Sequence, residues 1–97
     1  MFSARLINHK DIIMLNICDA DLLGRTLNKG NLTLKISEKY YGEKVVEKEE
    51  AKDLLRRSDN INMAGKEIIS LSVDIGIGTQ DGVKEIDGVP FLVVFKM

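Results

Sequence analysis

The chain has no tryptophan, and cysteine, proline and histidine occur once each. With Cys18 alone, no intramolecular disulfide can form, and the expected compartment is a reducing one. With His9 alone, no second imidazole exists to share a metal or to serve a separate acid and base. Neither sign of charge dominates: 14 Lys and Arg stand against 15 Asp and Glu, for a net charge of −1. That balance excludes a protein held to nucleic acid by bulk charge, although a local basic face stays open. Long apolar runs are also missing. The longest, Phe91 to Phe95, is far short of a membrane span, and Asp11 interrupts the N-terminal stretch before a signal-like core can form. The expectation is a soluble, cytoplasmic protein with no membrane contact.

What is present suffices for one domain over 1–97, since 44% of the residues are hydrophobic. A chain this short leaves much of its apolar surface in water, so stability is modest unless subunits associate. Phe2 to Ile7 and Ile12 to Cys18 read as strands joined by Asn8-His9-Lys10-Asp11. The second is apolar on both faces and is expected at the centre of a sheet. Asp19 then stands where an N-cap would stand, before a short helix or turn that Gly24 ends. Asn31 to Ser37 alternates, with Leu32, Leu34 and Ile36 expected inward. Tyr40-Tyr41-Gly42 reads as a loop. Glu47 to Arg57 reads as a surface helix with an apolar stripe of Ala51, Leu54 and Leu55 and an Asp53–Arg57 pair. Val83 to Ile86, Asp87-Gly88 and Val89 to Lys96 form a hairpin, in which Pro90 starts the last strand at an edge or beside the turn.

Asn62 to Ile77 is the longest apolar stretch and fits two periods. As a strand, Ile69, Leu71, Val73, Ile75 and Ile77 alternate with small or polar residues. As a helix, Asn62, Lys66, Glu67, Ser70 and Asp74 make a narrow polar stripe. An N-cap at Ser58, Asp59 or Asn60 and a stop at Gly76 favour the helix. The expected fold is therefore α+β, a mostly antiparallel sheet of about five strands packed against two main helices.

Few side chains can carry chemistry. His9 lies in a turn without an orienting partner and reads as solvated. Cys18 ends a strand just before a helix N-terminus, where a thiolate could be stabilised, but reads better as a small buried hydrophobe. Asp19 and Asp21 lack further oxygen ligands and read as capping residues, so no metal site is expected. Gly76-x-Gly78 with Gly82 follows a helix and has no Gly-Lys-Ser/Thr, which excludes a phosphate loop. No cofactor is expected. One cluster merits a test. Between Arg25 and Lys44 five cations (Arg25, Lys29, Lys35, Lys39, Lys44) outnumber Glu38 and Glu43, and Tyr40 and Tyr41 lie among them. Phosphate contact beside base stacking needs such a mixture. A solvated strand face with its aromatics docked in the core has the same composition.

Cys18-Asp19-Ala20-Asp21-Leu22-Leu23-Gly24-Arg25, Gly30-Asn31-Leu32-Thr33-Leu34, Tyr41-Gly42, Gly65 and Gly88-Val89-Pro90 occur in one order along nearly the whole chain. In that order and spacing the sequence resembles the small archaeal proteins of domain-of-unknown-function family 424. The resemblance implies an archaeal source, a helix over the stretch matching Asn62 to Ile77, no assigned activity, and RNA or translation-associated partners. One departure stands out: the family tends to carry polar residues, a histidine included, after Gly-Val-Pro, whereas Phe91-Leu92-Val93 is apolar here. Three expectations follow. The first is a non-catalytic binding module for RNA or a translation-associated protein, using Arg25 to Lys44. The second is a homodimer that buries the last strand or the polar-striped helix. The third, ranked last, is an enzyme using Cys18 or a carboxylate.

Overall fold

The computed structural model describes residues 1–96. Its main sheet has six strands: β1 (Phe2–His9), β2 (Ile12–Asp19), β5 (Lys44–Val46), β6 (Asn60–Ala64), β7 (Lys84–Ile86) and β8 (Val89–Phe95), in the order β5-β1-β2-β6-β8-β7. The pairs are antiparallel except β2 with β6, which run parallel. A separate ribbon pairs β3 (Thr26–Lys29) with β4 (Leu32–Lys35). The helices are α1 (Glu38–Tyr41), α2 (Lys48–Arg57) and α3 (Lys66–Asp74). The fold is α+β, as expected, and β2 is central. No helix among the described residues is long and apolar enough to cross a membrane.

Register follows from two tight turns. Lys10 and Asp11 both have positive φ (49° and 67°), as do Asp87 and Gly88 (51° and 80°). That is the backbone of type I′ hairpins, whose twist matches the strands they join. Because side chains alternate, the pairing sorts the sheet into two faces. Ala4, Ile17, Met63 and Leu92 share one face and meet Ala51, Leu54 and Leu55 of α2 and Ile68, Ile69 and Leu71 of α3 in the main core. Leu55 is fully buried there, so Leu55→Ala is expected to lower unfolding free energy by about 2–4 kcal/mol in a urea titration. α2 carries Glu49 and Glu50 in its first turn and Arg56 and Arg57 in its last, which suits the helix dipole. Its final carbonyls are capped by Lys96, whose Nζ donates to the Leu55 and Arg56 oxygens at 2.7 and 2.8 Å.

The ambiguous stretch is both things in succession. Asn60–Ala64 is strand and Lys66–Asp74 is helix, so Asn62 is not on the helical stripe and none of Ser58, Asp59 and Asn60 is its N-cap. Ile61 and Met63 alternate into the core, and β2 and β8 pair with both edges of this segment. That pairing overrides helical propensity up to Gly65. From Lys66 on, the expected polar stripe (Lys66, Glu67, Ser70, Asp74) is exposed and the helix ends before Gly76. Two other expectations are corrected. Tyr40 and Tyr41 lie in α1, entered through Ser37, whose Oγ accepts from the Tyr40 amide. Leu32 is exposed, because β4 pairs only with β3 and its tip runs beyond the core.

Candidate functional site

The residues that carried the family resemblance converge at one end of β2, β6 and β8. Cys18 pairs with Ala64, and Ala64 with Phe91. The Gly65 amide donates to the Pro90 oxygen at 2.9 Å. Asp19 does not cap the turn that follows it. Its carboxylate turns across the sheet and accepts from the Glu67 amide (3.0 Å) and the Ile68 amide (2.8 Å), capping α3 from a distant strand. Gly65 makes room for this: its φ is +120°, and an added Cβ would lie 2.5 Å from Asp19 Oδ2. Burial pushes the Asp19 carboxyl above the ordinary aspartate range, against the downward pull of the two amides.

Around this junction lies a second core: Cys18, Leu22, Leu27, Ile36, Ala64 and Val89, with Leu23, Tyr41 and Phe91 partly buried against it. It seats the β3–β4 ribbon on half of the face opposite α2 and α3. Gly24 donates to the Ile36 oxygen where the ribbon leaves, Gly30 is in its turn, and Gly42 closes α1 onto the Glu38 oxygen. Gly88 is in the β7–β8 turn. The motif positions thus build a joint. Beside it, Ala20 and Asp21 line a groove of about 400 Å³ together with Met1 and Glu67.

Catalysis at Cys18 is disfavoured on three grounds. The residue is fully buried. Burial, followed by the neighbouring Asp19 charge, pushes its thiol up to about 12. Ser3 is opposite Cys18 and His9 opposite Ile12, so six residues of strand, roughly 20 Å, separate the thiol from the imidazole. No group of three or more His, Cys, Asp or Glu among the described residues is arranged to hold a metal. A groove of about 540 Å³ lies between the start of α2 and the length of α3, lined by Met1, Glu47, Lys48, Lys66, Glu67 and Asp74 among others. Its exposed charges are of both signs, so it selects no ligand charge.

The expected cationic cluster is spread over three elements. Arg25 precedes β3, and Lys35 pairs opposite Thr26 while Lys29 pairs opposite Leu32. Alternation therefore sends Lys35 and Lys29 to opposite sides of the ribbon. Lys39 and Tyr40 are exposed on α1, Tyr40 by 57%. Tyr41 is turned into the second core, where burial raises its phenol. Lys44 is paired with Glu50. Arg25, Lys29, Lys35 and Lys39 form no ion pair among the described residues.

A different surface is gathered by the fold. The ribbon covers the Cys18 half of its face and α1 packs beside it on β1 and β2, while two rows beyond the ribbon are half-buried or exposed across β1, β2, β6 and β8. One is Arg5, Asn16, Asn62, Val93; the other is Ile7, Met14, Asn60, Phe95. None of these eight is acidic, in a chain with 15 acids. The four apolar ones belong to neither core, and Val93 and Phe95 are 51% and 68% exposed. Asn62 Nδ2 donates to Asn16 Oδ1 at 2.9 Å, and Arg5 donates to the Lys39 oxygen at the rim. Sequence reasoning misses this face because it draws on four strands, and only the pairing register shows which of their residues are neighbours.

Similarity to known proteins agrees with this fold. A family model described as "Protein of unknown function (DUF424)" matches residues 7–97. A crystal structure of an uncharacterized conserved protein from Methanopyrus kandleri is similar, with 29% identity and a TM-score of 0.81, over 99% of this chain and 93% of that one. No curated protein matches the chain.

Proposed function

Since the chain belongs to the DUF424 family of proteins of unknown function, we propose that it is a non-catalytic binding module whose partner seats on the part of the six-stranded sheet beyond the ribbon. The observation that carries this reading is the pair of rows from Arg5 to Val93 and from Ile7 to Phe95. Phenylalanine, methionine and arginine are present and Lys, Asp and Glu are absent, the bias of protein interfaces. The exposed Val93 and Phe95 on this face are also a liability for a monomer.

A second reading has its own support. Four cations without ion pairs among the described residues (Arg25, Lys29, Lys35, Lys39) and the exposed Tyr40 ring suit RNA, through phosphate contact and base stacking. One experiment separates the two: tagged chain recovered from cells of its source and read for RNA and for ribosomal and other translation-associated proteins. On the sheet reading, Phe95→Glu removes the associated species and a variant with all four cations changed to alanine retains them. The reverse pattern supports RNA contact by the ribbon and α1. Species unaffected by either change contradict both.

A further inference from the structure

Apart from its faces, the six-stranded sheet has an edge that its own strands pair only in part. We infer that this edge, Leu6 to His9 of β1, takes up an extended segment of a partner protein as an added strand. β1 runs for eight residues, but β5 pairs with it only from Phe2 to Ala4. Before Lys44 the chain leaves the line of β5 for α1, which is held on the face opposite α2 and α3. There Ser3 Oγ donates to the Tyr41 oxygen at 2.8 Å, and Arg5 donates to the Lys39 oxygen. Beyond Arg5, no strand among the described residues flanks β1 on its β5 side.

The main chain of this edge specifies what pairs with it. The Lys10-Asp11 turn holds two residues, so His9 and Ile12 exchange hydrogen bonds across it. Alternation then gives Ile7 and Arg5 to β2 and turns the N–H and C=O of Leu6 and Asn8 outward. None of these outward groups is hydrogen-bonded among the described residues. Two donors and two acceptors in line with β5 match an antiparallel strand of about four residues, roughly 13 Å long.

The edge also lacks the guards that sheets place against such pairing. Leu6 to His9 contains no lysine, proline or acid, and its register with β2 is unbroken, so no bulge turns it away. The other end of the sheet is guarded. In β7 the outward residue is Glu85, Lys84 stands beside it, and β3 packs against the strand.

Side chains set a preference for the added strand. A residue opposite Leu6 joins it beside the main core, and one opposite Ile7 joins that half-buried side chain on the other face. Asn8 and His9 are exposed. The segment therefore runs polar, polar, apolar, apolar toward Lys44, with β-branched residues favoured at its end.

Titration of the isotope-labelled full chain with the blocked peptide acetyl-Ser-Thr-Val-Val-amide, followed by amide NMR, tests this. The expected dissociation constant is on the order of 1 mM. The Leu6 and Asn8 amide protons should move downfield, while those of Arg5 and Ile7, already bonded to β2, move least. N-methylation of the last valine removes its donor to the Leu6 oxygen and should weaken binding at least about tenfold. Asn8→Pro should weaken it equally and leave the urea midpoint unchanged, because the N–H it deletes forms no hydrogen bond among the described residues. If that variant does not fold, the methylated peptide decides. Leu6 and Asn8 amides unmoved at about 10 mM peptide, or undiminished binding of the methylated peptide or by a folded Asn8→Pro chain, overturns the inference. Phe95→Glu, three strands away, should leave the affinity unchanged; a loss there assigns the peptide to the sheet face and also overturns it. Because the sheet-face reading is tested at Phe95 in cells, either can fail while the other stands.

Discussion

Replacing Gly65 with alanine is expected to lower the unfolding free energy by about 3–5 kcal/mol, one of the largest single-residue effects in the chain. Two costs combine. The φ of +120° is reached by glycine and strongly disfavoured for alanine, and the new methyl would strike the Asp19 carboxylate. Relief comes only by moving Asp19, which withdraws the acceptor from the Glu67 and Ile68 amides at the start of α3. Asp19→Ala alone is expected to cost about 2–4 kcal/mol, through the lost cap and the buried amides it leaves unpaired. Since the clash and the cap share one carboxylate, the double variant should cost less than the sum by about 1–2 kcal/mol. Urea unfolding of the four proteins measures this cycle. A Gly65→Ala variant within about 0.5 kcal/mol of the parent contradicts the geometry of the joint.

The second large effect concerns Cys18. With its thiol pushed up to about 12, the thiolate fraction at pH 8 is about one in ten thousand, some thousandfold below that of free cysteine. Under native conditions a disulfide reagent should therefore label Cys18 at least about a thousandfold more slowly than free cysteine. Stability carries the same signature. The folded state holds this proton more tightly than the unfolded state. Between pH 9 and about 12, then, the unfolded chain loses the proton first and stability falls as pH rises. The folding equilibrium constant should drop by up to about tenfold per pH unit. Tyr41, also raised by burial, adds to the fall above pH 10. Cys18→Ala should remove the slope between pH 9 and 10. Rapid labelling at neutral pH would instead revive the reading of Cys18 as a nucleophile.

Much of the scaffold is legible in the sequence. The two hairpin turns, the apolar stripe of α2 and the central place of β2 each rest on local signals: positive-φ turn residues, helical spacing, and a strand apolar on both sides. The β3 strand escapes such a reading. Thr-Leu-Asn-Lys holds one apolar residue, although Gly30-Asn31 between it and β4 is a readable hairpin signal. The start of α3 is expected too early because its cap is not local. Nothing near Ser58 to Asn60 satisfies the helix; the carboxylate comes from Asp19, 48 residues before Glu67. The binding surface shows the same limit. Composition draws attention to the cations from Arg25 to Lys44, which are neighbours in sequence, while Arg5, Asn16, Asn62 and Phe95 become neighbours only when four strands are in register.

On the binding reading, this face of the sheet is covered where the protein works. Hydroxyl-radical footprinting of intact cells, set beside the dilute purified chain, tests it whatever the partner is. Met14 and Phe95 should be protected in cells and reactive in the dilute protein, while Tyr40 and Leu32 react in both. Equal reactivity of Phe95 in cells and in dilute solution would contradict it.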